Sequence, residues 1–570
     1  MSVLRRAAEE RYGYLLVAGL CGACFFYNLG AAGLFDFNEG LYVEAAREML
    51  LRRDYVTGRV NGIPFYDKPP LALWLVVLSW KLFGIGEWSA RLPVALSATL
   101  TTLATFWLGR KVSLRVGVLS AAFFALSPIV VGTARQMTMD IHQTWWVTAA
   151  MLSGYLALHA RNGSAIAWWL AFWFCCGCGF MAKSFPGLLP IPVMALYLLV
   201  RAGGNSQERI RALFRMRPMA GLAILGAAIG PWHLAAYRAY GSFFVEEYWT
   251  LHHLGILHST DFGHAKPFWY YVPAMGAGFF PWSFLLPLAV RQSDVGTEPG
   301  RDPLSLAGFW FVTGFVGFSL MKSKLVSYLL PIYPAAALLT ASAVVRWSDR
   351  SESVSHRRNW SLPIAVSAAG LVCFLAAAAG LWWLYCGLSD VRDAEARQLL
   401  TPEMLSFVRV ALITLLTGGA VVIACAWTKP AAAVPTLIAV MAVFVFVAVH
   451  SGIPAYDQAV GAPLRDVVAR AGKLVRDPKE LVVHIGRPRR PSVFFYLPDR
   501  LLTVKLPRNP REGIMLETYD PEPVRSAVRR FGATYVLADY DHGSETLRSA
   551  GNVDVAYRRG RWALFRVTSP

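Results

Sequence analysis

The sequence predicts a polytopic α-helical membrane protein that carries a small α/β domain after its last span. Three observations predict it. Apolar residues make up 55% of the 570-residue chain against 16% charged, and the mean hydropathy is +0.42, a balance foreign to soluble globular domains. Apolar runs of span length recur, and Arg and Lys gather in every second turn between them. After His450 the pattern changes to short apolar segments set between polar turns. Twenty Trp and 22 Tyr suit the belts where helices leave a bilayer. A net charge of +19 would point to nucleic acid in a soluble chain. Here positive-inside retention accounts for most of it, so no nucleic-acid partner is expected. The remainder suits anionic lipid or a phosphate-bearing substrate.

In chain order, Arg5, Arg6 and Arg11 precede an apolar anchor at about 14–34, too long for a cleavable leader. A charged loop follows, and then the short apolar run 68–83. Behind its two prolines this run reads as an interfacial helix and not a span, because counting it as a span would invert every later basic turn. Further spans are expected at about 91–107, 112–133, 141–160, 164–181, 184–201, 218–237, 267–290, 303–320, 325–345, 360–385, 406–427 and 431–450, about thirteen in all with the anchor. The arginines between 201 and 217 mark the firmest cytoplasmic turn, and 238–266 forms a second outer loop rich in His and aromatics. Residues 1–450 thus form the membrane domain, with its outer juxtamembrane segment at 34–84, and 451–570 an outer α/β domain. In the latter, 481–485, 493–496, 534–537 and 562–567 read as strands and 521–531 as a helix. The eight cysteines lie in or beside apolar runs, and none follows residue 450. Cys21-x-x-Cys24 lacks a second pair or a neighbouring His, so packing explains it better than zinc.

The loop from Leu34 to Pro70 organises the chain. It places Asp36, Glu39, Glu44, Arg47, Glu48, Asp67 and Lys68 beside a membrane, where such groups stay wet or line a cavity. Leu41, Tyr42, Ala45, Met49 and Leu50 fall at helical spacing, which predicts an amphipathic helix over 38–51. Asn38 is placed as its N-cap, and Glu39 complements the dipole. Such a helix would lie flat on the bilayer and present its acids to a surface reaction.

With the topology assigned, Asp36, Glu39, Asp67, Lys68, Arg135, Asp140, Lys183, His252, His253, Lys322, Lys324 and Tyr328 fall at one membrane depth on the outer side. Snorkelling lysines and solvated carboxylates would explain any one of them. Together they suit the grip of lysines on a lipid phosphate beside a carboxylate that strips a proton from an attacking hydroxyl. That chemistry is group transfer between bilayer-resident substrates.

The motifs NEGLYVEAAREML, FYDKPPLALWL, SARLP, the 135–140 segment, AKSFPGLLP, KPFWYYVP with FFPW, and KSKLVSYLLP, in this order between Leu34 and Pro334, resemble the bacterial aminoarabinose transferase family. Its wider relatives include the protein O-mannosyltransferases. The resemblance implies the GT-C glycosyltransferase fold and a sugar donor on a polyprenyl phosphate, with a lipid or envelope-glycan acceptor such as lipid A, or a protein. It also implies an inner-membrane location with the reaction on the periplasmic side. By the same resemblance, Asp67, Lys68, Lys183, Lys324, Tyr328 and Asp140 surround the donor, joined by Tyr66, Arg91 and His253 from the quoted motifs and the second outer loop. The chain departs from the pattern at Asn38, where the family carries the aspartate of an Asp-Glu pair, near Ile256, where it carries an arginine, and at Ser184–Phe185 after Lys183. Asp36 or Glu39 is then the expected base, with Asn38 orienting substrate or only capping the helix. Asp67 and Asp140 are expected to orient lysines or a divalent ion, which the ligand spacing allows without demanding. A transporter or flippase would instead need charges through mid-helix and paired broken helices. A scaffold would leave the lysines and carboxylates without a shared cavity.

Overall fold

The computed structural model describes residues 2–160, 163–254, 266–291, 303–353, 361–386, 398–475, 481–483, 491–496 and 522–569. Among them, eight helices are long and apolar enough to cross a membrane, or nine if Phe268–Gly278 and Trp282–Ala289, bent by 119°, count as one span. The chain is a multi-pass membrane protein. The four other expected spans are also helical, and each falls short for a visible reason. Ser2–Cys21 opens on charged residues, and the run after Leu114–Ala125 breaks before Pro128. Met139–His159 carries Asp140, His142 and Gln143 near its start, and the apolar stretch 185–201 is short and holds three prolines. Leu71–Phe83 has 13 residues, a rise of about 20 Å against a hydrocarbon core of about 30 Å, so it cannot span. Leu78, Leu82 and Phe83 on it are exposed, as an interfacial helix requires.

Side-chain pairs sort the helix ends into two groups. Arg110 pairs with Glu10, Arg115 with Asp349 (both 2.9 Å), and Arg201 bonds Ser305. These join the basic turns expected on one side. Asp67, Asp140 and Lys183 collect at the other end. There, Lys183 closes the helix Ala165–Lys183, and Ser184, at φ +70°, turns the chain away immediately after it. The return turn crosses that helix closely. A Cβ on Gly187 would lie 2.1 Å from the Gly179 carbonyl carbon, so only glycine fits the crossing.

The first-loop helix forms over Asn38–Arg52 but is not a flat surface helix. Every residue from Glu39 to Met49 is buried, because Leu71–Phe83 covers one side and the short helix Ser492–Tyr496 another. Its cap position is Phe37. Asn38 is the first helical residue, exposed, and no side chain caps the helix. The acids expected on its open face are turned inward onto arginines: Glu44 takes Arg47 in a two-pronged pair at 2.7 Å, and Glu48 takes Arg52.

The change of pattern at His450 is not a break in the chain path, since one helical path runs from Pro430 to Leu474. Beyond it, Leu481–Val483 lies parallel to Ala533–Asp539. That strand pairs antiparallel with Trp562–Thr568, and Asn552–Arg559 adds the far edge. The helix Glu522–Phe531 buries Val524 and Val528 against this sheet. Residues 493–496 form a helix and not the expected strand. Asp36 accepts from both the N–H (2.8 Å) and the hydroxyl of Ser492 at its start, and Phe495 stacks on Trp80. A four-residue apolar run suits either state, and these tertiary contacts decide it. Residues 484 and 485 of the first expected strand lie outside the described residues.

Burial pushes the Glu44 carboxyl up to about 7, against the pull of Arg47. A carboxyl raised on folding stabilises fully below its unfolded pKa, and that stabilisation is lost as pH rises through the folded value. Thermal melts in detergent should therefore show stability falling from about pH 4.5 to 7 in the wild type. Glu44→Gln should flatten that slope, and an unchanged slope would remove Glu44 from the linkage.

Candidate active site

Asp67 is the hub of the site. Its Oδ2 accepts from the Tyr42 hydroxyl at 2.7 Å, and its Oδ1 accepts from Lys68 Nζ at 2.7 Å and contacts His252 Nδ1 at 2.9 Å. Burial alone would push this carboxyl up, but the neighbouring Lys68 and His252 hold it well below the usual carboxylate range. The same burial, with Asp67 beside it, pushes the Tyr42 phenol up, so Tyr42 remains a donor. Next to this group Lys183 pairs with Asp140, and its ammonium lies 4.6 Å from the centre of the Tyr328 ring. Lys183 is close enough to feel both Lys68 and Asp67. The side chains of Asp67, Lys68, Asp140, Lys183 and His252 keep 10–16% of their exposure, which makes them partly desolvated yet reachable. Two cations and two anions from three sequence-distant segments thus meet in one place. An aromatic wall of Trp232, Phe244 and Tyr248 stands beside them, and the Tyr248 hydroxyl lies 3.3 Å from that of Ser184.

The other expected site residues are held elsewhere. Glu39 accepts four hydrogen bonds, from Phe35 N, Met137 N and two nitrogens of Arg91, all at 2.7–2.8 Å. That fills its lone pairs, so it is not the base. Arg91 uses all five of its N–H groups, on Glu39 and on the carbonyls of Leu29, Ala32 and Gly33, so it is not a phosphate ligand. Asp36 is the cap of Ser492–Tyr496 described above. Tyr66 is 2% exposed, pairs its hydroxyl with Thr57 at 3.1 Å and packs edge-on to Phe244 and Tyr240. Lys324, four residues before Tyr328, donates to the carbonyls of Met321 and Lys266. The side chain of His253 lies outside the described residues, and its neighbour His252 makes the contact to Asp67. Sequence reasoning places His252 at this depth without assigning it to the donor, and it misses Tyr42 as a member of the site. The pitch of their helices, which decides the facing side, is the signal that could have found them.

Among the described residues, no three of His, Cys, Asp and Glu are grouped to hold a metal ion. Asp67 and Asp140, the carboxylates expected to orient lysines or a divalent ion, are each paired with a lysine, Lys68 and Lys183.

The fold and this ionic cluster at one end of the helices define a polytopic membrane protein of the GT-C architecture. Residues 67–228 match the family model described as dolichyl-phosphate-mannose-protein mannosyltransferase. The undecaprenyl phosphate-alpha-4-amino-4-deoxy-L-arabinose arabinosyl transferase of Edwardsiella ictaluri is 31% identical over 366 residues, 64% of this chain and 65% of that one. The enzyme of the same name from Pectobacterium carotovorum is 32% identical over 359 residues, 61% and 63% of the two chains. The match thus spans just under two thirds of these curated relatives. The crystal structure of ArnT from Cupriavidus metallidurans bound to undecaprenyl phosphate superposes with a TM-score of 0.77 at 22% identity, covering 97% of each chain. The fold is shared along the whole chain, and the resemblance read from the motif series is the one these comparisons return.

Removing one partner of a buried ion pair leaves the other charge uncompensated, at a cost of about 3–5 kcal/mol. Glu39→Gln should therefore lower the melting temperature and the yield of folded protein. Restoring neutrality with Glu39→Gln/Arg91→Met should recover part of the loss. A Glu39→Gln protein that melts like the wild type but turns over slowly would return Glu39 to the chemistry.

Proposed function

We propose that this chain is an inverting glycosyltransferase that moves a sugar from a polyprenyl phosphate, such as undecaprenyl phosphate, to a lipid or envelope-glycan acceptor. The reaction would run on the outer, periplasmic side of an inner membrane. The meeting of Lys68, Lys183, Asp67 and Asp140 carries this reading. It is supported by the names of the relatives and by the fold shared with a protein crystallised with undecaprenyl phosphate.

Lys68 and Lys183 would take the donor phosphate as point charges and stabilise the charge that develops on it. The acceptor oxygen attacks the anomeric carbon, the bond from that carbon to the phosphate oxygen breaks, and polyprenyl phosphate leaves. With Asp36 and Glu39 engaged in structure, the proton acceptor is sought among the site carboxylates. Asp67 is the poorer base, because Tyr42, Lys68 and His252 keep it ionised. Asp140 pairs with Lys183. A phosphate that draws Lys183 away would free Asp140 to take the acceptor's proton. Asp67 would then hold Lys68 in place, and Tyr328 would face Lys183.

A panel of polyprenyl-phosphate sugars, incubated with the purified protein, tests the donor class. Lys68→Ala and Lys183→Ala should each lower kcat/KM by at least about a hundredfold, the scale of losing a charge-stabilising group. Asp140→Asn should lower kcat, whereas Asp67→Asn should mainly raise the donor KM. No transfer from any polyprenyl-phosphate donor would overturn the reading, and full kcat in Asp140→Asn would overturn its base.

A further inference from the structure

A large cavity lies outside this site. It measures about 1230 Å³, and its wall is almost wholly apolar. The bent segment Phe268–Ala289 forms one side, and Pro303–Leu320 forms the other. Gly276 and Gly308 face open space, since a Cβ on either meets nothing within 4 Å. Val272 and Val312 on the lining are more than half exposed, so the cavity opens sideways toward lipid.

Three features identify its occupant. Along the helix Pro303–Leu320 the lining runs from Leu304 to Phe315, a rise of about 17 Å at ~1.5 Å per residue. That is the depth of one leaflet of a hydrocarbon core about 30 Å thick. Arg346 lines the cavity, and Arg201 reaches Ser305 on its wall, so among the described residues its charged end is cationic. Both arginines belong to the end of the molecule that holds the basic turns, opposite Lys68 and Lys183. A lipid with its phosphate between those lysines would therefore present its headgroup at the wrong end.

We propose that this cavity binds an acyl chain of an anionic glycerophospholipid from the cytoplasmic leaflet, with its phosphate at the Arg201–Arg346 end. The bent segment lines one side of the chain's path, and Pro303–Leu320 lines the other. The inference is independent of the donor chemistry, and its readout is lipid retention.

The test compares the full chain purified from vesicles of phosphatidylglycerol and of phosphatidylcholine, with lipid counted by native mass spectrometry. Wild type should retain phosphatidylglycerol in preference. Gly308→Phe places a ring in the open space, and exclusion of about two methylenes should weaken retention about tenfold. Arg201→Gln leaves the cavity open and should remove the preference for phosphatidylglycerol over phosphatidylcholine. Wild-type retention in Gly308→Phe, or an unchanged preference in Arg201→Gln, would overturn the proposal. So would a Gly308→Phe protein that keeps phosphatidylglycerol but loses added undecaprenyl phosphate, because the cavity would then belong to the other lipid. Should Gly308→Phe not fold, Gly276→Phe probes the same space.

Discussion

The buried pair of Glu39 and Arg91 fixes the end of this protein that carries the ionic cluster. A guanidinium 1% exposed and a carboxylate as deeply buried would each be costly alone. Together they saturate one another and the surrounding backbone. Arg91 gathers the carbonyls of Leu29, Ala32 and Gly33 at the end of the first helical segment, and Glu39 gathers the amides of Phe35 and Met137. One ion pair thus ties the anchor, the first-loop helix, the span from Glu87 and the turn before Met139. Asp140 follows that turn by three residues, and Tyr42 follows Glu39 by three. The pair touches no member of the reactive cluster, yet it sets where two of them stand.

A second tie works from the far end of the chain. Asp36 caps Ser492–Tyr496, and the Tyr496 hydroxyl accepts from Leu34 N at 2.8 Å and lies 3.2 Å from a Glu87 oxygen. Arg465 pairs with Asp457 beside them. The C-terminal region is therefore a clamp on the loop that precedes the first-loop helix, as well as a cover. Its contacts explain why that helix, polar enough by composition to lie on a surface, is buried all round. Ionic residues in the loop serve as fasteners between segments, whereas Asp67, Lys68, Asp140 and Lys183 are left partly open.

This division explains what could be read from the sequence. The spans, the short interfacial helix and the convergence of Asp67, Lys68, Asp140, Lys183 and Tyr328 follow from length, hydropathy and charge parity, which are local or additive properties. The roles of Glu39 and Arg91 depend on a pairing across 52 residues, and that of Asp36 on one across 456. Nothing in the local pattern separates an acid that meets substrate from one that meets a distant arginine. His252 reaches Asp67 from Val245–Leu254, which winds as a π-helix, whose wider turn changes which side chains face inward.

The ionic cluster itself constrains the chemistry. Each carboxylate already carries a lysine, so a phosphate held by both ammoniums would compete with Asp67 and Asp140 for their charge. On the proposed reading the incoming donor is a phosphodiester monoanion, which would share each ammonium with its carboxylate, and the leaving phosphate gains a second charge that would draw the lysines further. A carboxylate that loses its cation regains affinity for a proton. Before the donor arrives, Asp67 is held ionised by its neighbours and the cluster is balanced and closed to chemistry. With the proposed donor in place, a base would emerge where the acceptor must approach. A site built this way would couple proton abstraction to donor binding without a moving domain, through the redistribution of two cations among three anionic groups.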